Sequence, residues 1–219
     1  MGLLYLLPVL VVMLSTAGNN LVNGEKITGR CYGDVHYEQF DGDRFSDQTA
    51  GAYVCSSTKT SFSPSSQGFL VTIVTVTETR RGLEVTVIDR VIVFYGYTLS
   101  FSFDKPPSTT NFTISPPNYT PSAVEPSGRQ VFEADDKSYK LTYDDGAFEL
   151  EFPSSDNSSP IFEVRFDGMN CIIRLDRTIY GGQLTGILGN GDGTTSDDRL
   201  NRGGSTIEGV AAFIASWPA

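Results

Sequence analysis

The sequence predicts an all-β fold of two packed, mainly antiparallel sheets in a sandwich-like arrangement. Helical periodicity is nearly absent, whereas residues 68–103 are rich in β-branched and aromatic residues with period-two alternation. Between Leu83 and Val87, apolar and polar residues strictly alternate. One strand face is then buried and the other wet, as is typical of antiparallel sheets. We expect one large β-domain.

The strands can be placed in order along the chain. Several adjacent strands are expected within residues 68–103, with turns at Gly82, at Asp89 with Arg90, and at Gly96. Residues 105–128 are rich in proline, serine and threonine without a regular apolar pattern, which predicts a long exposed loop.

The second half continues in the same style. Residues 130–152 indicate three short strands, with a turn at 144–146 between the last two. A polar, serine-rich insertion at 153–160 precedes the strands IFEVRF and CIIRLD, which the turn DGMN joins. Residues 207–217 suit a short closing strand or helical turn, with Trp217 packed in the core rather than against a ligand.

The first residues indicate export. A short apolar run at 3–14 is followed by small residues at 15–18, which is the pattern of a signal peptide spanning residues 1–18. No later segment approaches the length of a membrane span, so we expect a secreted, extracellular product. Three N-glycosylation sequons, at Asn111, Asn118 and Asn157, lie in loop-like sequence and support this localisation.

Net charge restricts the classes of binding partner, and the cysteine content restricts the possible disulfides. The net charge of −10 disfavours nucleic acid, because phosphate binding needs a basic surface; cations or basic surfaces fit better, although acidity can also serve solubility alone. The chain has three cysteines, Cys31, Cys55 and Cys171. In an oxidising compartment one pair is expected to form a disulfide, and the sequence does not choose among the pairings.

Catalytic patterns are weak in this chain. His36 is the only histidine, no Gly-x-Ser-x-Gly motif occurs, and a zinc site is disfavoured by the scattered Cys and single His. Alternation around His36 favours a packed or hydrogen-bonded sheet histidine. The acid pairs at 135–136 and 144–145 indicate solvated turns. We therefore predict no catalytic residues.

The loop at residues 186–200, GILGNGDGTTSDDRL, concentrates oxygen ligands between glycines. Calcium prefers six to eight oxygen atoms from carboxylates, amides and carbonyls, and left-handed glycines permit the tight curling that such a loop needs. It is not an EF-hand, since Asn201 stands where a bidentate Glu would be required. The alternative is a glycine-rich surface turn without metal. The candidate ligands of this loop are Asn190, Asp192, Thr194, Asp197 and Asp198, with the glycines Gly189, Gly191 and Gly193 between them.

Two separated motifs resemble the von Willebrand factor type D domain over about residues 29–217. The early motif is CYGDVHYEQFDG at 31–42, with Gln39 in place of the family's Thr, followed by GAYV at 51–54. The late motif ends in GILGNGDG, where the family has Gly-Leu-Cys-Gly-Asn, and a closing Ser-Trp follows at 216–217. The resemblance implies a bound calcium ion whose ligands are Asp41, the side chains of Asn190, Asp192, Asp197 and Asp198, and the carbonyl of Thr194.

The chain also departs from the family pattern. Leu188 and Gly51 stand where the family has cysteines, so the usual disulfides cannot form there and Cys31 must pair otherwise or stay free. There is no Cys-x-x-Cys for thiol exchange. Val35 replaces the proline of a self-cleaving segment, and we expect no self-cleavage. The cysteine-rich modules that usually follow are missing, which weakens the expectation of covalent multimers.

These observations predict a secreted, calcium-binding, non-enzymatic binding or assembly module of an extracellular matrix, mucus or similar secretion. Its expected partners are extracellular proteins or glycans, or a second copy joined through an unpaired cysteine. One alternative is an acidic matrix protein of a mineralised tissue such as shell or skeleton, although the acidic residues are spread rather than run into blocks. A less favoured alternative is a light-emitting secreted oxidase, some of which resemble paired domains of this type.

Overall fold

Two antiparallel β-sheets form most of the structure. The computed structural model describes residues 25–59, 68–96, 98–108, 110–116, 119–121, 128–154, 159–201, 203–205 and 207–219. The predicted signal peptide and the sequons at Asn118 and Asn157 lie outside these residues. In the described part of the chain, no helix has the length and apolar character needed to cross a membrane.

The strands follow one another closely along the chain. In chain order they are β1 Lys26–Tyr32, β2 His36–Glu38, β3 Arg44–Ser46, β4 Gly51–Thr58, β5 Phe69–Arg80, β6 Leu83–Tyr95, β7 Leu99–Asp104, β8 Phe112–Ser115, β9 Tyr119–Pro121, β10 Gln130–Ala134, β11 Lys140–Asp144, β12 Ala147–Pro153, β13 Pro160–Phe166, β14 Asn170–Asp176 and β15 Leu184–Thr185. The helices are α1 Arg177–Tyr180 and α2 Val210–Ala215, and a single 3₁₀ turn covers Thr195–Asp197.

The two sheets divide these strands unequally. The nine-stranded sheet has the order β3-β2-β1-β14-β13-β12-β11-β10-β9, and the six-stranded sheet has the order β15-β4-β5-β6-β7-β8. Most neighbours are hairpin partners, but β1 lies between β2 and β14. This pairing brings the start of the described chain against its last third.

Aromatic rings from the inner faces of both sheets form the core. Phe69 of β5 stacks on Phe162 of β13 with ring centroids 4.3 Å apart, and Tyr95 of β6 stacks on Phe152 of β12 at 3.9 Å. Phe69, Phe152 and Phe162 are fully buried. Such pairs add to the free energy gained by burying apolar area. The predicted all-β fold of two antiparallel sheets is confirmed.

Two of the predicted local features are wrong. The turn at Asp89 and Arg90 does not exist, because β6 runs through both residues. Val74 pairs with Arg90 while Thr75 pairs with Ile88, so Asp89 is the extra residue of a β-bulge. Polar residues in mid-strand therefore marked a bulge and not a chain reversal.

The predicted long loop at 105–128 is interrupted by β8 and β9. Ile114 of β8 is only 8% exposed, and the Phe112 ring lies 4.8 Å from that of Phe132 and 5.4 Å from that of Phe148. Burial of these two side chains stabilises a strand among the prolines. The turns at Gly82, Gly96 and 144–146 are where the sequence predicted them.

The C-terminal segment closes the core. After α2, Pro218 forms a bridge with Tyr53 of β4, and the Val54 amide donates to the Trp217 carbonyl at 2.9 Å. The Trp217 side chain is 4% exposed, and its Nε1 donates to the Leu200 carbonyl at 3.2 Å. The predicted core role of Trp217 is confirmed.

Candidate metal site

The oxygen-rich loop follows β15 and lies against the segment that follows β2. The Phe40 amide donates to the Leu188 carbonyl at 3.0 Å, which fixes the loop beside the early segment. On its other side, the Ile187 amide donates to the Val54 carbonyl at 3.1 Å and the Leu188 amide to the Cys55 carbonyl at 3.0 Å. The loop is therefore held by backbone hydrogen bonds to the turn after β2 and to β4.

Asp41 reaches the loop directly. Its Oδ1 accepts a hydrogen bond from the Gly193 amide at 2.8 Å, across 152 positions of sequence. The early acidic residue and the late loop, which only the family resemblance connected, are neighbours in the structure.

Side chains inside the loop are linked to one another. Nδ2 of Asn190 donates to Asp197 Oδ2 at 2.9 Å and to Asp192 Oδ2 at 3.3 Å. The Asp192 amide donates to Asn190 Oδ1 at 3.0 Å, and the Thr194 amide donates to Asp192 Oδ1 at 2.7 Å. These bonds bring the four predicted loop residues other than Asp198 into one curled turn around Asn190, with Thr194 and Asp192 on its exposed side.

Asp198 is the most buried acidic residue of the group, at 2% exposure. Its Oδ1 accepts from the Asn190 amide at 3.0 Å. Burial, with smaller contributions from the charges of Asp41, Asp197 and Asp192, raises the pKa of Asp198 from 3.8 to about 6, against the opposing effect of the Asn190 hydrogen bond.

Among the residues that the structure describes, three carboxylate oxygens of this site are buried without a hydrogen-bond partner: Asp41 Oδ2, Asp197 Oδ1 and Asp198 Oδ2. An unpaired buried carboxylate oxygen is costly, and a divalent cation is one group that satisfies several at once. By chemical type, these oxygen donors therefore suit a hard cation.

Acidic side chains do not form the set alone. In the described residues, no three His, Cys, Asp or Glu side chains are grouped so that they could hold a metal ion. The predicted set also contains the Asn190 amide oxygen and the Thr194 carbonyl, both of which are common calcium ligands.

The glycines of the loop have the predicted conformation. Gly189, Gly191 and Gly193 have φ values of +80°, +70° and +98°, all in the left-handed region. A Cβ on Gly189 would lie 2.3 Å from Asp198 Oδ1. Gly189 therefore permits both the turn and the close approach of the buried carboxylate.

Sequence reasoning missed three residues that position the site. Gln39 is fully buried, and its Nε2 donates to the Ile187 carbonyl at 2.8 Å and to the Asp198 carbonyl at 3.2 Å. Asp43 pairs with Arg199 at 2.7 Å, which joins the two segments next to Asp41 and Asp198. The substitution of Gln39 for the family's Thr was the one available signal, since a longer side chain can span between segments.

The structure also places other residues that were named from the sequence. Nδ1 of His36 is hydrogen-bonded to Ser46 Oγ at 2.5 Å, which confirms a hydrogen-bonded sheet histidine. Nδ2 of Asn111 donates to the Pro106 carbonyl at 2.8 Å. The acid pairs at 135–136 and 144–145 are exposed, as expected for turns.

The three cysteines lie in the core. Cys31, Cys55 and Cys171 are all free thiols with no exposed surface. The predicted link between two copies through an unpaired cysteine does not fit this burial, because none of the thiols can reach a second chain while the core is closed.

Comparison with known proteins identifies the family of the chain. No curated protein matches the chain. The sequence profile of the von Willebrand factor type D domain matches residues 29–205, which is well over half of the 219 residues. This range contains the strands from the later part of β1 to β15 and every predicted calcium ligand. The chain therefore belongs to the von Willebrand factor type D domain family, a family of non-enzymatic binding and assembly domains typical of extracellular proteins.

Proposed function

We propose that this protein is a secreted, calcium-binding, non-enzymatic module that works by binding or assembly in an extracellular matrix, mucus or similar secretion. Family membership supports the extracellular binding role. The observation that carries the calcium part is the set of buried, unpartnered carboxylate oxygens on Asp41, Asp197 and Asp198.

The proposed ligands come from two segments. Asp41 is supplied by the turn after β2, while the loop supplies the side chains of Asn190, Asp192, Asp197 and Asp198 and the carbonyl of Thr194. A bound calcium ion would offset the mutual repulsion of these carboxylates. Gln39 and the Asp43–Arg199 ion pair hold the two segments at the same place without contributing ligands.

The expected consequence of binding is stability. A ligand that binds only the folded state stabilises it by mass action, by about 2.7 kcal/mol at a hundredfold excess over Kd. For a domain of this size, each kcal/mol of added stability raises Tm by about 2–4 °C. The bound ion would join two segments that are distant in sequence. Bringing such segments together otherwise costs chain entropy.

Differential scanning calorimetry of residues 19–219 in calcium and in chelator tests this part of the proposal. We expect a higher Tm in calcium for the wild type and a loss of that difference in Asp41→Asn. Asp145→Asn is the matched control, because Asp145 is exposed in a distant turn and Asn also tolerates its positive φ of 45°. A wild-type Tm that does not respond to calcium would contradict the calcium site.

Binding and assembly need a separate measurement. Light scattering of the purified protein over a range of concentrations, with and without calcium, reports self-association, and an array of extracellular glycans and matrix proteins reports partners. We expect association or binding in at least one of these assays. A protein that stays monomeric and binds nothing would contradict the module function but leave the calcium result standing.

A further inference from the structure

The three cysteines of the chain meet in one place in the core. Cys31 lies on β1, Cys171 lies directly opposite it on β14, and Cys55 lies on β4 of the other sheet. The thiols of Cys31 and Cys55 are hydrogen-bonded to each other. No surface of any of the three is exposed.

The surroundings identify the position of the cluster. Tyr37 of β2 pairs with Cys31 on the side away from Cys171, so Cys31 is the central residue of a row across the sheet. Burial raises the pKa of Tyr37 far above its usual value, and the nearby Cys31 and Cys55 add smaller increases. Burial also raises the pKa values of all three thiols, which disfavours the reactive thiolate once the core has closed.

We propose that the chain, when it folds under oxidising conditions, forms a disulfide between Cys31 and Cys55, and that Cys171 remains a buried free thiol. The occurrence of this bond in the natural protein rests on the secretion part of the proposed function, whereas the pairing rests on geometry alone. This pairing replaces the family's disulfide position at Leu188, which here is filled by a buried leucine.

Contact geometry selects this pair from the three possible ones. The thiols of Cys31 and Cys55 are in hydrogen-bonding contact, so the two sulfur atoms are already neighbours. The alternative bond between Cys31 and Cys171 would join β1 to β14, which a continuous ladder from Lys26 to Tyr32 already pairs. A bond from Cys31 to Cys55 would instead be a covalent link between the two sheets.

The bond forms by two thiol–disulfide exchanges with an external disulfide such as oxidised glutathione. The thiolate of one cysteine attacks the external disulfide, giving a mixed disulfide and releasing one small thiol. The thiolate of the other cysteine then attacks the mixed disulfide, forming the Cys31–Cys55 bond and releasing the second small thiol. Two protons leave the cysteines, and the two electrons reduce the external disulfide.

Oxidative refolding in a glutathione buffer, followed by alkylation under denaturing conditions and non-reducing tryptic mapping, tests the pairing. Trypsin places the cysteines in three separate peptides, 31–44, 45–59 and 166–174, so each pairing gives a different linked mass. We expect peptides 31–44 and 45–59 to be linked and peptide 166–174 to be alkylated. Any other linkage, or alkylation of all three, overturns the proposal.

Variants separate the disulfide from general effects on folding. Cys171→Ala is expected to retain the linked pair and its Tm, apart from a small packing loss. Cys55→Ala is expected to lose the link, and its Tm should no longer respond to reducing agent, whereas the wild type should melt several degrees lower when reduced. A wild type whose Tm ignores reduction would count against the proposal. The effect of calcium on Tm is measured separately, by comparing calcium with chelator. Failure of the disulfide can therefore be distinguished from failure of the calcium site.

Discussion

Asp198 is subject to two opposing demands. Burial next to other acidic residues favours its protonated form. The hydrogen bond that its Oδ1 accepts from the Asn190 amide favours the carboxylate. Burial prevails, and the pKa is raised to about 6. The ordinary value of 3.8 describes the unfolded chain, so between about pH 4 and pH 6 the folded state holds more protons at this residue than the unfolded state.

A pH dependence follows for the calcium-free protein. Because the folded state binds the extra proton, the contribution of Asp198 to the free energy of unfolding decreases as the pH rises from about 4 to about 6. Thermal melts in chelator across this range should show this decrease in the wild type and a weaker one in Asp198→Asn, which cannot titrate. Equal pH dependence of the two proteins would contradict the raised pKa.

Single residues of the site differ in how far sequence reveals them. The ligand types and glycines were predictable because calcium restricts the chemistry to oxygen and tight loops require positive φ. The pairing of Asp43 with Arg199 was not predictable, because it depends on which segments become neighbours. The clustering of the cysteines was likewise hidden, since no spacing rule connects Cys31, Cys55 and Cys171.

The curled loop is the element on which the site depends, and Gly189 is its tightest point. The same backbone region is occupied by Gly146 in the β11–β12 turn, where φ is +72° and a Cβ would meet nothing within 4 Å. At Gly189, with φ of +80°, a Cβ would collide with the Asp198 carboxylate. At both positions any other residue would be strained by its positive φ. Only at Gly189 would the added side chain also collide with a neighbouring group.

This pair gives a controlled prediction. Gly146→Ala should lower the free energy of unfolding by about 1–2 kcal/mol, the cost of a left-handed alanine. Gly189→Ala should lower it by clearly more and should also weaken the calcium response, because Asp198 must move. Urea denaturation followed by circular dichroism, with and without calcium, measures both effects. Equal losses in the two variants would show that the contact with Asp198 carries no weight.

Elements with strong local signals were predicted correctly. The hairpin at 144–146 combines turn residues with alternation on both sides, and the strands β10 to β14 follow the sequence pattern. The bulge at Asp89 was read as a turn because both features place polar residues within an apolar run. β8 was missed because its four residues lie among prolines and are stabilised by tertiary burial of Phe112 and Ile114, which no local pattern reveals.

At the scale of the whole molecule, the C-terminal segment seals the gap between the sheets. It lies beyond the matched range of 29–205, yet it pairs with β4 through Val54 and Pro218. Trp217 also lines a small cavity next to Asn190, Asp197 and Asp198. This single tryptophan of the chain therefore connects overall stability to the candidate metal site.

Substitution of Trp217 tests its contribution to the core. Trp217→Ala should lower the free energy of unfolding by about 3–5 kcal/mol, as expected for removing a large core side chain. Trp217→Phe keeps an aromatic ring and should lose much less, roughly the hydrogen bond to Leu200 of about 1 kcal/mol together with a small packing change. Guanidinium denaturation monitored by circular dichroism compares them. Equal stability of the alanine variant and the wild type would contradict a core role.

The sandwich itself was predictable from alternation, but the order of its strands was not. Alternation specifies that a strand has one buried face, whereas the position of β1 between β2 and β14 depends on pairing across most of the chain.

The central position of β1 has a consequence for biosynthesis. As the polypeptide leaves the ribosome, β1 is made early, but the partner on one of its edges is β14, in which Asp176 pairs with Lys26. Until that distant stretch has been translated, β1 exposes unpaired amides and carbonyls that can join the edge of another nascent chain. Premature termination before Asn170 would therefore yield a fragment with an unpaired strand edge, which is prone to aggregation.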